Sequence, residues 1–233
     1  MNSPLLHQDW HHLLFLHWSV HPEQIRELLP PGLTLDLFQQ TAYVGLIPFT
    51  IKDSRPRITP PIPGLSSFHE VNVRTYVLHD GKPGIFFFSL DASSRAAVLG
   101  ARTMYKLPYH FAHIEMEVDE DVRTVTYASK REWPKPVPAT CELKYSFDEG
   151  RGEPARPGTI GHFLIERYTL YTVDDNQLIS ATVEHEPYPV LQASVKHVQE
   201  TLIWAAGVRK IEGVPLAHYS RGVSVEINAP IRL

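Results

Sequence analysis

The sequence predicts a mainly β, α+β domain: one highly curved antiparallel barrel or sandwich with two or three short helices. Three observations support this prediction. Short segments rich in Val, Phe, Tyr and Thr recur along the chain, turn signals such as Asp80-Gly81 separate several of them, and helix signals are few. A length of 233 residues suits one barrel or sandwich, and no shift in composition divides the chain. We therefore predict a single domain over residues 1–233.

Three segments carry helix signals, at residues 22–29, 95–104 and 198–206. The first has Pro22 in the position of a first-turn proline, and a Pro-Pro-Gly run ends it. The second follows Ser93 or Ser94, either of which is a suitable N-cap residue. The third ends before Gly207, which suits a helix C-terminus.

Alternating or continuous apolar segments predict the strands. They lie at residues 33–38, 41–50, 68–78, 84–90, 110–118, 122–129, 141–147, 163–173, 177–185 and 222–227. Proline- and glycine-rich stretches between them predict loops at residues 54–67, 134–138 and 149–158.

Composition narrows the cellular setting and the partners. The net charge of −4 and the lack of basic runs argue against a nucleic-acid partner. A single cysteine, Cys141, permits no intrachain disulfide and indicates a reducing, cytoplasmic compartment. Residues 1–18 lack the pattern of a signal peptide, and the longest apolar stretches are too short to span a bilayer, so we expect no membrane partner.

Thirteen histidines raise the question of a metal site. Five of them lie near the N-terminus, at His7, His11, His12, His17 and His21, but without a recognised ligand spacing. We therefore predict no metal and interpret them as half-buried strand-edge and turn residues. The sequence also lacks a nucleophile-elbow motif and glycine-rich nucleotide loops, and we expect no cofactor.

The segment 68–78 places polar residues on one face of a strand. Because side chains alternate, Glu70, Asn72, Arg74 and Tyr76 point the same way. In a closed barrel this face would form a polar interior that holds a ligand. In an open sheet it would instead face solvent, and the pattern alone leaves both alternatives open.

Several motifs give the chain a family resemblance. They are NVRTYV, FFFSLDA, ARTMYKLPYHFA, FLIERYTLYT, VEHEPYPV and HYSRGVSVEI, spread from about residue 10 to the end. With them the chain resembles the uncharacterised YqjF-like family of the acetoacetate decarboxylase-like superfamily. The resemblance implies a curved antiparallel β structure around an internal cavity. It also implies a homo-oligomer, without indicating an interface.

The resemblance also implies where the chemistry of the decarboxylases has changed. Their motif proline falls on Pro108, so their Schiff-base lysine and its lysine neighbour fall on Tyr109 and His110. Neither residue can form an iminium, because that step needs a primary amine. Lys106 lies three residues before Tyr109 and is expected to point elsewhere. The chain is therefore not expected to be a Schiff-base decarboxylase.

The remaining candidates support proton transfer or ligand binding. Glu70 matches a glutamate of the decarboxylase site and Arg102 matches the motif arginine. We expect Glu70 or His110 as base and Tyr109 as acid. The predicted ligand-binding residues are Arg102, Arg74, Tyr76 and Lys106. Three hypotheses stay open: a small-molecule-binding protein, a proton-transfer enzyme acting on a keto acid or aromatic compound, and a scaffold protein.

Overall fold

A computed structural model describes residues 4–61, 66–134 and 137–233. Within these ranges the chain forms four short helices, α1 Pro22–Arg26, α2 Arg95–Met104, α3 Ile160–Ile165 and α4 Leu202–Ala205. It also forms thirteen strands: β1 Pro4–Val20, β2 Thr34–Leu35, β3 Ala42–Pro56, β4 Phe68–His79, β5 Lys82–Ala92, β6 Tyr109–Asp119, β7 Thr124–Trp133, β8 Thr140–Phe147, β9 Thr169–Asp174, β10 Gln177–Glu184, β11 Val190–Glu200, β12 Leu216–Asn228 and β13 Ile231–Arg232. Parts of two predicted loops, residues 62–65 and 135–136, lie outside the described residues.

The strands pair into one sheet that closes on itself twice. The first ring runs β5-β6-β7-β8-β11-β12-β1-β3-β4 and closes through β4–β5 pairing. The second ring runs β10-β9-β5-β4-β3-β1-β12 and closes through β10–β12 pairing. Neighbouring strands are antiparallel except for β5–β6 and β5–β9, which are parallel. The predicted mainly β, barrel-type fold is therefore confirmed.

The strands common to both rings separate two apolar cores. On β1, Leu14 and Leu16 belong to the first core, whereas Leu13 and Phe15 belong to the second. This division follows from the alternation of side chains along a strand. The first core lies between the shared strands and β6, β7, β8 and β11. The second lies between the shared strands and β9, β10, α2 and α3.

Local signals placed two helices as predicted. The backbone N–H of Ala97 donates to the Ser94 hydroxyl at 3.3 Å, so Ser94 is the N-cap of α2. Pro22 occupies the first turn of α1, which ends earlier than the apolar pattern suggests. The third predicted helix is mostly wrong, because β11 continues to Glu200 and leaves room only for the single turn of α4.

The strand predicted at residues 163–173 begins too early. Thr159 accepts a hydrogen bond from the backbone N–H of His162 at 3.3 Å and starts α3, which includes Phe163. The strand itself begins at Thr169. At residues 159–165 the Thr159 cap favours a helix while the composition favours a strand, and the cap decides the conformation.

The long strand β1 has no clean alternation because all but one of the residues Leu13 to Val20 are buried. No helix in the described ranges is long and apolar enough to cross a bilayer.

Strand β12 can approach β1 closely at position 222 only because that residue is glycine, and this gives a first prediction. Its φ is +142°, and a Cβ atom there would lie 2.0 Å from the carbonyl oxygen of Trp10. We expect Gly222→Ala to lower the free energy of unfolding by about 3 kcal/mol in urea denaturation. The control is Gly100→Ala in α2, where nothing lies within 4 Å of the new methyl group. It should be stabilising by roughly 0.5–1 kcal/mol, and equal midpoints for the two variants would contradict the prediction.

Candidate functional site

A cavity of about 110 Å³ lies within the second ring. Its walls are largely apolar, and the lining apolar residues include Leu13, Phe15, Ile47, Phe49, Ile85, Phe87, Leu90, Leu170 and Val183. Its polar lining comes from Gln8, Glu70, Asn72, Arg74, Tyr105, Tyr109, Arg167, Thr169 and Tyr188. One water needs roughly 10–15 Å³ of such space. The cavity therefore has room for several waters or for a small organic molecule.

Strand β4 supplies the polar floor of this cavity. Glu70, Asn72 and Arg74 all line it, and their exposed fractions are 2%, 4% and 7%. They share a face because they are two residues apart, while Val71 and Val73 enter the first core on the other face. Both faces of β4 are thus buried. Of the two alternatives left open by the sequence, the interior one is correct and the solvent-facing one is wrong.

Glu70 and Tyr109 form a hydrogen-bonded pair across the cavity. The Tyr109 hydroxyl donates to Glu70 Oε2 at 2.7 Å. Burial raises the pKa of Glu70 to about 7, the charge of Asp91 adds to the increase, and hydrogen bonds from Tyr109 and Asn72 oppose it. Burial and the neighbouring carboxylate keep the pKa of Tyr109 well above its ordinary value. Near neutral pH, Glu70 therefore exchanges a proton while Tyr109 remains a donor.

Arg74 is a buried cation with few partners. Its Nη2 donates to the Leu164 carbonyl at 3.1 Å, an acceptor left free in the last turn of α3. Its Cζ lies 5.7 Å from the ring centroid of Phe15 and 5.8 Å from that of Tyr76. Its Nε is buried without a hydrogen-bond acceptor. No carboxylate in the described part of the chain forms an ion pair with it.

Arg167, the other arginine of the lining, is held in a structural ion pair. Its Nη1 lies 2.7 Å from Asp36 Oδ2, and its Nε donates to the Phe163 carbonyl at 2.8 Å. The partner is 131 residues away, so no local pattern indicated it.

Tyr76 belongs to the packing behind Arg74. Its hydroxyl donates to the Leu164 carbonyl at 2.7 Å and lies 2.6 Å from Nε2 of the buried His17. It does not line the cavity, although it shares the buried side of β4 with the residues that do. This position gives no support to the expectation that Tyr76 contacts a ligand directly.

His110 points away from the cavity. It follows Tyr109 directly in β6, and consecutive side chains of a strand take opposite faces. Burial and the nearby charge of Arg131, which is paired with Asp91 at 2.7 Å, lower the pKa of His110 to about 4. The two positions aligned with the lysine pair therefore do not both line the cavity, and this geometry gives no support to the expectation that His110 acts there as base.

Arg102 and Lys106 also lie outside the cavity. Arg102 Nη1 donates to the Tyr109 backbone carbonyl at 2.6 Å, and so supports the strand rather than a ligand. Lys106 has a positive φ of 56° and directs its Nζ to Asp174, 3.7 Å away. Their predicted ligand-binding roles do not fit this geometry. Among the residues that the structure describes, no lysine lines the cavity.

Strand β1 contributes wall residues that the sequence did not reveal. Gln8 and Trp10 line the cavity, with the indole N–H of Trp10 donating to Gln8 Oε1 at 2.8 Å. Further along, the lining positions are Leu13 and Phe15, because the positive φ of His12 changes the phase of the alternation. No pattern in the sequence marks that change. Tyr188, which follows Pro187, also lines the cavity.

The N-terminal histidines are distributed among separate contacts. His12 Nδ1 lies 2.7 Å from the Tyr219 hydroxyl, His17 contacts Tyr76, and His7 Nε2 lies 3.5 Å from Asp9. In the described ranges, no three His, Cys, Asp or Glu side chains are arranged to hold a metal ion.

Solved structures share this fold at low sequence identity. The enduracididine biosynthesis enzyme MppR, solved with pyruvate, matches with a TM-score of 0.66 and 12% identity over 100% of this chain and 91% of that chain. The acetoacetate decarboxylase of Legionella pneumophila matches with a TM-score of 0.63 and 15% identity over 99% of this chain and 88% of that chain. At these identities the likeness shows the fold alone.

Sequence comparison shows the family. The uncharacterized protein YqjF of Bacillus subtilis is 37% identical over 220 residues, which cover 93% of this chain and 88% of YqjF. The sequence pattern of DUF2071, an uncharacterized conserved family, matches residues 7–224. The resemblance to YqjF-like proteins is confirmed, and the chain belongs to the DUF2071 family.

Proposed function

We propose that this protein binds a small organic molecule in the cavity of the second ring. The observation that carries the proposal is the polar floor of Glu70, Asn72 and Arg74 under apolar walls. Ligand sites commonly combine apolar walls with a few converging polar groups. Buried polar atoms without partners lower stability, and two are present here, Asn72 Oδ1 and Arg74 Nε. A ligand that satisfied them would recover part of that cost.

A purely structural role explains these residues less well. Arg167 and Arg131 show how this chain secures a structural arginine, since each pairs with an aspartate at 2.7 Å. Arg74 lacks such a partner in the described ranges while lining the cavity. The related fold of MppR has been solved with pyruvate and with HEPES, which supports small molecules as the class of ligand.

A second candidate function is proton transfer on a bound keto acid or aromatic compound. The observation that favours it is the Glu70–Tyr109 pair inside the cavity. A carboxyl group with a pKa near the working pH takes and returns protons efficiently. Glu70 would act as the base, held in place by the Tyr109 hydroxyl that donates to its Oε2. Once Glu70 had taken a proton from the ligand, the Tyr109 hydroxyl would be free to donate to an oxygen of the ligand. His110 and Arg102 have no part in this scheme because they lie outside the cavity.

We also propose a cytoplasmic location. The single cysteine, Cys141, is fully buried, and burial raises its thiol pKa well above the ordinary value. The chain therefore depends on no intrachain disulfide, as suits a reducing compartment. A homo-oligomer is proposed only on the resemblance to the superfamily.

Filling the cavity should weaken ligand binding. A library of small carboxylates and aromatic compounds is screened by NMR, and binders are mapped on the indole N–H signal of Trp10. Leu170→Phe places a larger ring in the ligand space, and we expect affinity to fall at least about tenfold, or about 1.4 kcal/mol. Leu99→Phe on exposed α2 is the control. Binding that survives Leu170→Phe unchanged, or a library without any binder, would contradict the proposal.

The pKa of Glu70 should make stability depend on pH. The folded protein holds this proton up to about pH 7, whereas the unfolded chain loses it near 4.5, the ordinary pKa of a glutamate. The contribution of Glu70 is therefore fully present at low pH and lost as pH rises toward 7. Relative to wild type, Glu70→Gln should gain about 2–3 kcal/mol between roughly pH 5 and pH 8. Urea titrations at both pH values measure this, and a gain independent of pH would refute the raised pKa.

Deuterium exchange tests the proton-transfer hypothesis separately from ligand binding. A ligand found in the screen that carries C–H bonds beside a carbonyl is incubated in D₂O, and deuterium uptake is followed by NMR. Glu70→Gln should slow uptake at least about 100-fold, the usual contribution of a positioned base. His110→Ala, outside the cavity, is the control. If Glu70→Gln binds the ligand and exchanges it at the wild-type rate, the enzyme hypothesis is lost while the binding proposal stands.

A further inference from the structure

We infer that the ligand of this cavity is an organic anion whose carboxylate pairs with Arg74. The inference deepens the proposed function and rests on it, because it assigns the charge and orientation of the bound molecule. The uncharged part of the ligand would then lie against the apolar walls formed by residues such as Phe49, Phe87 and Leu170.

Arg74 places a positively charged guanidinium group inside the protein. A guanidinium group keeps its proton in any protein environment, and this one is only 7% exposed. A buried charge is costly unless it is paired. The chain neutralises its other two buried arginines, since Arg131 pairs with Asp91 and Arg167 pairs with Asp36. Arg74 alone among these three has no carboxylate partner in the described ranges, so its counter-charge must come from elsewhere.

The N–H donors of Arg74 are only partly used inside the protein. Leu164 accepts one hydrogen bond from Nη2, and the rings of Phe15 and Tyr76 cover part of the group. Cation–π contacts stabilise the charge without using the in-plane N–H groups. The Nε donor has no acceptor, and the residue lines the cavity. A guanidinium N–H donor that lacks an acceptor suits a carboxylate oxygen, which forms a charge-assisted hydrogen bond with it.

Glu70 is not the missing carboxylate partner of Arg74. Four residues of an extended strand separate their Cα atoms by about 13 Å, and Glu70 is already bonded to Tyr109. A single unpaired cation also suits a monoanion better than a dianionic phosphate, whose second charge would stay buried without a partner. Between the two ends lies Asn72, whose Oδ1 is buried without a donor. The cavity therefore has a cationic end at Arg74 and a protonic end at Glu70 and Tyr109.

Matched acid and amide probes test the assignment. Benzoate is compared with benzamide, and butyrate with butyramide, because each pair shares its shape and differs in charge. Titrations use the full-length wild-type protein at about pH 6, where Glu70 is mostly protonated, and follow the indole N–H of Trp10, a lining residue. We expect each acid to bind at least about tenfold more tightly than its amide.

Two arginine variants test whether Arg74 is the group that pairs with the carboxylate of the ligand. Arg74→Gln should remove the preference for acid over amide while leaving amide affinity within about twofold of wild type. Arg102→Gln is the matched control, since its guanidinium bonds the Tyr109 backbone outside the cavity, and it should keep the preference. If circular dichroism shows that Arg74→Gln does not fold, the comparison of acid and amide on the wild-type protein decides alone.

The outcomes separate this inference from the proposed function. A preference for acids that is lost in Arg74→Gln supports the inference. Equal binding of acids and amides, or a preference that survives in folded Arg74→Gln, overturns it and leaves ligand binding in the cavity intact. If no acid, amide or library compound of any kind perturbs the Trp10 signal, ligand binding in the cavity fails and the inference fails with it.

Discussion

The burial of strand β4 on both faces is the constraint on which the rest of the structure depends. Two closed rings share this strand, so Val71 and Val73 enter one apolar core while Glu70, Asn72 and Arg74 enter the cavity of the other. A strand at the surface could leave such polar groups in water at no cost. Here they must find partners inside the molecule. Hydrogen bonding, charge and cavity shape are therefore coupled along a few residues of one strand.

Burial also changes how Glu70 binds protons and how strongly Arg74 attracts an anion. Removing Glu70 from water raises its pKa to about 7, and the Tyr109 hydroxyl limits the increase by stabilising the carboxylate. The same loss of water leaves the Arg74 charge unscreened, which strengthens its attraction for an anion. One end of the cavity therefore exchanges protons while the other carries a fixed positive charge. The apolar walls between them provide the surface against which an organic ligand would pack.

Local geometry decides which of two neighbouring residues faces the cavity. The positions that align with the lysine pair, Tyr109 and His110, are consecutive residues at the start of β6. Only Tyr109 enters the cavity, where it bonds Glu70, and His110 lies on the side of Arg131. A shared scaffold at 12–15% identity therefore carries a different set of functional groups. A likeness at this identity shows the fold alone, and any function depends on the side chains that the cavity of this chain presents.

The sequence by itself determined the features that depend on near neighbours in the chain. Alternation placed Glu70, Asn72 and Arg74 on one face, Ser93 or Ser94 was expected to cap α2, and tight turns between short strands indicated a barrel or sandwich. Only the tertiary structure decided which face was enclosed, that Asp36 neutralises Arg167 across 131 residues, and that Arg74 has no equivalent partner in the described ranges. The physical reason is that periodicity and capping act within a few residues. Ring closure and ion pairing join distant segments, and nothing in the local sequence records them.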